Sequence, residues 1–154
     1  MKELKCTDIF TLPDSNGRKN IVCVTTNGII KKDGTAVMGA GIAKTANMRF
    51  NVSSKLATSL RQNGNNVSDL GQYNWQTSNF HLVAFPTKEN WRDNSHLWLI
   101  ERSARQLVEF ADANEFEHIF LTRPGCGCGG LDWYNTVKPV LESILDDRFT
   151  VVYQ

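Results

Sequence analysis

The sequence predicts an α/β domain whose largely parallel sheet is covered by helices on both faces. Three observations carry this. Short β-branched runs such as Ile21–Thr26 and His118–Thr122 are of the kind buried on both sides of a sheet. Apolar stripes at helical spacing lie between the strand-like runs. Two glycine-rich segments, one around Gly39–Gly41 and one at Gly125–Gly130, each follow a predicted strand and precede a predicted helix. Sheets of this class bind ligands beyond the carboxyl ends of their strands, which is where both segments fall.

Taken in order, Leu4–Phe10 begins with alternation and reads as a strand, and Pro13–Gly17 as an exposed turn before the strand Ile21–Thr26. Asn27-Gly28 and Lys31–Gly34 are surface turns. From Gly41, the recurrence of Ala43, Ala46, Phe50, Leu56 and Leu60 predicts two short helices or one broken near Asn51. Tyr73–Trp75 and Phe80–Phe85 bracket turn residues and read as paired strands ending at Pro86. Ser95 is placed to cap a helix whose face is Leu97, Ile100, Ala104, Leu107, Val108 and Ala111. After His118–Thr122, a last helix is expected from about Thr136, with Thr136 as its cap and Pro139 in its first turn. Phe149–Tyr153 closes the chain as a strand.

At 154 residues the chain fits one domain, 1–154, able to bury roughly two-thirds of its unfolded surface. A formal charge of +1 lacks the basic excess of a general nucleic-acid binder, though nucleic acid remains open as a local substrate. Charged residues interrupt every apolar run before it could span a bilayer, and Met1–Lys5 has no signal core, so a soluble cytoplasmic monomer without membrane partners is expected. The four cysteines form no paired CxxC knuckles and the three histidines are scattered, so no metal and no cofactor are expected.

In the first glycine segment, Gly39 and Gly41 allow a ligand to approach the backbone, and the helix starting near Gly41 directs free N–H groups outward. A tight strand-to-helix connection would need the same glycines, and both readings stand. The second segment, with four glycines in Gly125–Gly130, has an entropic cost that favours ligand contact. Neither matches the GxxxxGK[ST] or GxGxxG pattern, so a diphosphate clamp without obligatory magnesium is expected.

Thr7-Asp8-Ile9-Phe10, the strand ending at Asn27, Met38-Gly39-Ala40-Gly41-Ile42-Ala43 and Gly127-Cys128-Gly129-Gly130-Leu131-Asp132-Trp133 resemble successive motifs of the macro domain family over nearly the whole chain. The resemblance implies a three-layer α/β/α fold with a central mixed, largely parallel sheet, and ADP-ribose as ligand. Asp8, with Ile9 beside it, would receive the adenine amino group, and Asn27 would bond the distal ribose. The backbones of Gly39, Ala40, Gly41, Ile42 and Ala43, and of Gly125, Cys126, Gly127, Cys128, Gly129, Gly130 and Leu131, would hold ribose and diphosphate. The segment Phe85-Pro86-Thr87-Lys88-x-x-Trp91-Arg92 and the Gly-Gly-Leu-Asp-Trp ending look like the stand-alone phage or bacterial, antitoxin-type branch that clears ADP-ribose from DNA.

In similar enzymes the lysine matching Lys88 forms an adduct with the sugar, so Lys88 and Asn27 are the catalytic candidates of an ADP-ribosyl hydrolase. Lys88 follows a run expected to be buried, which would desolvate its amine. Family members acting on protein carboxylates, and the ADP-ribose 1''-phosphate phosphatases, carry a catalytic aspartate where this chain has Gly129. Asp132, three residues on, could cap the next helix. The substrate classes implied are ADP-ribosylated DNA or protein, with ADP-ribose 1''-phosphate or a non-catalytic ADP-ribose reader as alternatives. Trp91 with Arg92 is the pair expected beside the cleft.

Overall fold

The computed structural model describes residues 1–154. Its strands are β1 (Lys2–Lys5), β2 (Asn20–Thr26), β3 (Ser68–Trp75), β4 (Ser78–Pro86), β5 (His118–Thr122) and β6 (Phe149–Tyr153). Its α-helices are α1 (Gly41–Phe50), α2 (Ser53–Asn63), α3 (Leu97–Ala113) and α4 (Lys138–Glu142). The six strands form one sheet in the order β1-β6-β5-β2-β4-β3. Every neighbouring pair is parallel except the β3–β4 hairpin. This is the mixed, largely parallel α/β/α sandwich expected.

The period-two alternation of a strand explains the two cores. In β2, Ile21 and Cys23 point to one face and Val22 and Val24 to the other, and all four are buried. The first pair joins Val83, Phe85, Ile119, Leu121, Phe149 and Val151 beneath α3 and α4. The second joins Leu82, Ala84 and Val152 beneath α1 and α2. In α3, Ile100, Ala104, Leu107 and Ala111 form the buried stripe that its spacing predicts. The helix pair α1–α2 breaks at Asn51, which adopts a left-handed φ of 53°, while Asn47 Oδ1 accepts from the Ser53 amide. No helix is long and apolar enough to cross a membrane.

Four local expectations need correction. The first strand ends at Lys5, not Phe10, because the Asp8 carboxylate accepts from the Phe10 amide and winds Ile9–Thr11 into a 3-10 turn. That turn drives Ile9 and Phe10 into the α1–α2 core. The strand β3 begins at Ser68, ahead of Tyr73, and carries an irregularity between Asp69 and Gln72 where Gly71 has φ 108°. Ser95 does not cap α3: His96 holds that position without a side-chain bond, and the Ser95 amide donates to the Gly129 carbonyl instead.

Thr136 does not start the last helix either. The Asp132 carboxylate accepts from the Asn135 amide at 2.7 Å and opens a wide π turn over Trp133–Val137, which leads into α4. Pro139 has no N–H to return to a carbonyl one turn back, and the wide turn ahead of it accommodates that loss.

Candidate functional site

Parallel strands deliver their carboxyl ends to one edge of the sheet, and five loops therefore converge there. They follow β1 (Cys6–Phe10), β2 (Asn27 and the first glycine segment), β4 (Thr87, Lys88), β5 (Arg123 and the second glycine segment) and β6 (Gln154). Between them lies a cleft of 1220 Å³. It is lined by Asp8, Ile9, Asn27, Gly39–Ala43, Lys88, Gly125–Gly129 and Leu131, which includes every catalytic and ligand-binding candidate from the sequence except Gly130; of the pair expected beside it, Trp91 lines it and Arg92 does not. Gly130 takes φ 76° and turns toward Asn94, away from the cleft, because its left-handed conformation is needed to return the chain to Leu131.

The first glycine segment is set by Asn27. Its Nδ2 donates to the Val37 carbonyl at 3.2 Å and its Oδ1 accepts from the Ile29 amide at 3.1 Å. Together with the Val37 amide donating to the Ile29 carbonyl, these bonds fold residues 29–37 back on themselves and present Met38–Gly41 at the cleft. The side chain is thus committed first to holding the loop, leaving one N–H and one lone pair for anything else. Gly39 and Gly41 have no atom within 4 Å of where a Cβ would stand, so they border open space. Helix α1 begins there with no side-chain cap, and its first N–H groups have no carbonyl one turn back. An anion is the natural partner of such an end.

The second segment is locked from behind. Gly125 is buried at φ 78°, and its carbonyl accepts from the Leu131 amide at 2.9 Å. The Gly129 carbonyl accepts from the Ser95 amide at 2.9 Å. A Cβ on Gly129 would collide with Ser95 Oγ and stand 2.5 Å from the Gly125 carbonyl oxygen, so no carboxylate side chain can occupy that position without rebuilding the loop. Gly127 and Cys128 at the tip are exposed, and nothing lies within 4 Å of a Gly127 Cβ. The Cys126 thiol is pushed up to about 11 by burial, against a smaller opposing effect of Arg123, which makes it a poor nucleophile.

Lys88 reaches the second segment from the end of β4. Its Nζ donates to the Cys128 carbonyl at 3.2 Å, with a longer contact of 3.5 Å to the Trp91 carbonyl. The stem is fixed: the Thr87 amide donates to the Thr26 carbonyl, the His96 amide to the Thr87 carbonyl, and Asn65 Nδ2 to the Lys88 carbonyl. The run of buried residues ends at Thr87, and Lys88 itself is half-buried. Its hydrogen-bond partners are main-chain carbonyls, not carboxylates.

Asp8 does two things at once. Besides capping the 3-10 turn, both its oxygens accept from Arg49 Nη1, at 3.0 and 2.9 Å. The Arg49 guanidinium lies 3.9 Å from the centroid of the Trp75 ring. Sequence reading missed Arg49, which sits 41 residues away with no motif to mark it. It also missed Arg123, Tyr153 and Gln154, which line the cleft, as Arg49 does not. Arg123 lies over the Tyr153 ring at 4.4 Å and within 3.6 Å of Glu3. Ser95 and Thr26 line the cleft as well, each with a buried hydroxyl that has no partner. Their signal would have been position, since they flank the residues the loops bond to. Asp132 is spoken for by the Asn135 amide.

No family model matches the chain. A DNA ADP-ribosyl transferase–DNA ADP-ribosyl glycohydrolase fusion protein of Thermosipho africanus is 32% identical over 88 residues, 57% of this chain. That match spans only 21% of the fusion protein. Among solved structures, the macrodomain of Mycobacterium tuberculosis DarG superposes with a TM-score of 0.71 at 21% identity, covering 100% of this chain and 98% of that one. The macrodomain of Thermus aquaticus DarG gives 0.70 at 23% identity over 99% and 97%. Thermosipho africanus DarTG in complex with ADP-ribose gives 0.69 at 23% identity, covering 94% of this chain and 39% of that one. The chain has the macrodomain fold, with its candidate site in the cleft between the two glycine segments that resembled that family in sequence.

Proposed function

We propose that this cleft binds ADP-ribose and that the protein releases it from a modified macromolecule, DNA being the favoured carrier. The observation that carries the reading is the Lys88 amine donating to the Cys128 carbonyl, which sets a nucleophilic side chain against the exposed tip of the second glycine turn. The fusion protein's DNA ADP-ribosyl glycohydrolase name and the ADP-ribose complex of the similar structure support ligand and substrate class. Both relatives are longer than the matched region, so catalysis and the DNA carrier are carried to this chain as part of the proposal.

In this reading the diphosphate lies against the N-terminus of α1 and the exposed tip of the second segment, and Asn27 holds the first turn in shape beside the distal ribose. The adenine end lies toward Asp8, Tyr153 and Gln154. For an amine-linked sugar, opening of the ribose leaves C1'' as an imine of the carrier nitrogen. The Lys88 Nζ attacks C1'' and passes two protons in turn to the carrier nitrogen, which leaves as the free amine with its electron pair, and a lysine imine remains. Water then adds to C1'', the amine is regenerated and the ribose recloses. The net change is one water consumed, its hydrogen on the carrier and its hydroxyl on C1''.

Phosphatase chemistry of the family's aspartate type is disfavoured, because Gly129 has no room for a side chain. The test is a panel of ADP-ribosylated DNA, ADP-ribosylated protein and ADP-ribose 1''-phosphate with wild type, Lys88→Ala and Lys88→Arg. Release from DNA should vanish in both variants while ADP-ribose binding by calorimetry persists. Lys88→Ala turning over at the wild-type rate would remove the amine from the mechanism.

A further inference from the structure

The segment that leaves the cleft after Lys88 exposes two large aromatic rings that the proposed reaction does not use. Trp91 is 48% exposed and Trp98 51% exposed, whereas Trp133 is buried in the core. Each exposed ring carries a guanidinium, Arg92 at 5.0 Å from Trp91 and Arg102 at 5.4 Å from Trp98. The Trp98 ring is also stacked on His96, with centroids 5.9 Å apart. These neighbours fix its orientation and leave half of it in water.

Both rings are tied to the cleft. Trp91 lines the cleft mouth and its carbonyl faces the Lys88 amine. Arg102 Nη2 donates to the Asn65 carbonyl at 2.6 Å, and Asn65 Nδ2 donates to the Lys88 carbonyl at 2.9 Å. One residue therefore separates the guanidinium on Trp98 from the main chain of Lys88. The His96 amide, bonded to the Thr87 carbonyl, closes residues 87–96 into a loop, and Trp98 follows two residues later in the first turn of α3.

We infer that Trp91 and Trp98 form a stacking platform for unpaired bases of single-stranded DNA flanking the modified nucleotide. This rests on the proposed ADP-ribosyl hydrolase reading and names how its substrate is held. Half-exposed indoles, each with a guanidinium over its ring, offer stacking surfaces to single-stranded bases, whose π faces are free, and Trp91 in the cleft lining places such a strand next to Lys88. Charge contributes little: between residues 88 and 105 the basic Lys88, Arg92, Arg102 and Arg105 face the acidic Glu89, Asp93 and Glu101, and Arg105 is paired with Glu101. With Lys88, Arg92 and Arg102 left to contact at most three phosphates, affinity for DNA should fall with a log–log salt slope no steeper than about −2.1.

The experiment compares KM for an ADP-ribosylated single-stranded oligonucleotide with KM for the same ADP-ribosylated nucleotide lacking flanking residues. Trp98→Ala should raise the first about tenfold, one stacked base lost, and leave the second and the affinity for free ADP-ribose unchanged. Trp98→Phe should recover most of the loss, and Trp91→Ala should raise the oligonucleotide KM as well. Unmodified single-stranded DNA should quench tryptophan fluorescence in wild type and much less in Trp98→Ala, a measurement independent of any hydrolysis. Equal KM values for wild type and Trp98→Ala on the oligonucleotide, equal losses on both substrates, a rise confined to ADP-ribosylated protein, or no quenching by DNA would each overturn the platform. Failure of the hydrolase reading would show separately, as wild type that neither binds ADP-ribose nor releases it.

Discussion

Gly129 and Gly127 lie two residues apart in one loop, and exchanging each for alanine should have opposite consequences. A methyl group on Gly129 meets Ser95 Oγ, the Gly125 carbonyl oxygen at 2.5 Å and its carbon at 2.8 Å. Two of these are backbone atoms of a buried residue whose carbonyl is already bonded to the Leu131 amide, so they cannot swing aside as a side-chain tip would. Neither glycine needs a left-handed φ, so the difference is steric. Overpacking of this kind costs about 1–3 kcal/mol, which in a domain of this size lowers Tm by about 3–10 °C. Loss of the Ser95–Gly129 bond would displace the Cys128 carbonyl and weaken ADP-ribose binding as well. Gly127→Ala meets nothing within 4 Å and should leave Tm within about 1 °C, while its methyl protrudes into the cleft and weakens the ligand. Differential scanning calorimetry with and without ADP-ribose measures both. A Gly129→Ala protein with wild-type Tm and affinity would refute the claim that the second segment is locked from behind, and with it the argument against an aspartate there.

Two further outcomes follow from the ion pairs. Arg49→Ala removes a part-exposed ion pair with Asp8 and the contact with Trp75, together about 1–2 kcal/mol, yet should leave ADP-ribose affinity within about twofold. Asp8→Ala should weaken ADP-ribose about tenfold if its carboxylate takes the adenine amino group, and titration calorimetry of the two variants separates pairing from binding. For pH, Glu3 is held below the ordinary carboxylate range by its bond from Lys138, Asp146 by Arg148 and Asp14 by Asn20. A lowered folded-state value stabilises the fold above the ordinary range and is lost as pH falls through it, so Tm should be level from about pH 5 to 8 and drop below about pH 4. Glu3→Gln should flatten part of that drop, and a Tm unchanged down to pH 2 would contradict the assignment.

The fold was legible where one pattern had one physical meaning. Doubly buried runs such as Ile21–Val24 can only lie between helices, and the α3 stripe fits only a helix packed on a sheet. Errors arose where a polar side chain chose between local partners. Asp8 after a short alternating run could extend the strand or cap a turn, and the capping bond to Phe10 prevailed. Ser95 is a good cap by composition, but the chain needed its amide for Gly129, a partner 34 residues away that no local rule registers. Thr136 lost its place to Asp132 because the i→i+5 turn ahead of Pro139 shifted the helix start. Within the site, the glycines were legible because their function is backbone exposure, whereas Arg49 and Arg123 act through side chains whose partners, Asp8 and Tyr153, meet them only after folding.

The cleft's own chemistry follows from how its charges are spent. Asp8 is held by Arg49, Asp132 by the Asn135 amide, and Glu3 by Lys138, Arg123 and Trp133. The two acidic side chains that line the cleft, Asp8 and Asp132, are thus committed to holding loops, and the position where a catalytic aspartate would stand is sterically closed. Lys88 is the converse case. Its backbone is pinned on both sides, but its amine rests on two main-chain carbonyls that orient it without neutralising it. A pyrophosphate seated between the glycine turns would compete for that amine, drawing it from Cys128 toward the sugar end of the ligand. The group most tightly anchored at its root and least committed at its tip is the one that can move to react, and this is the physical reason to place the chemistry on Lys88.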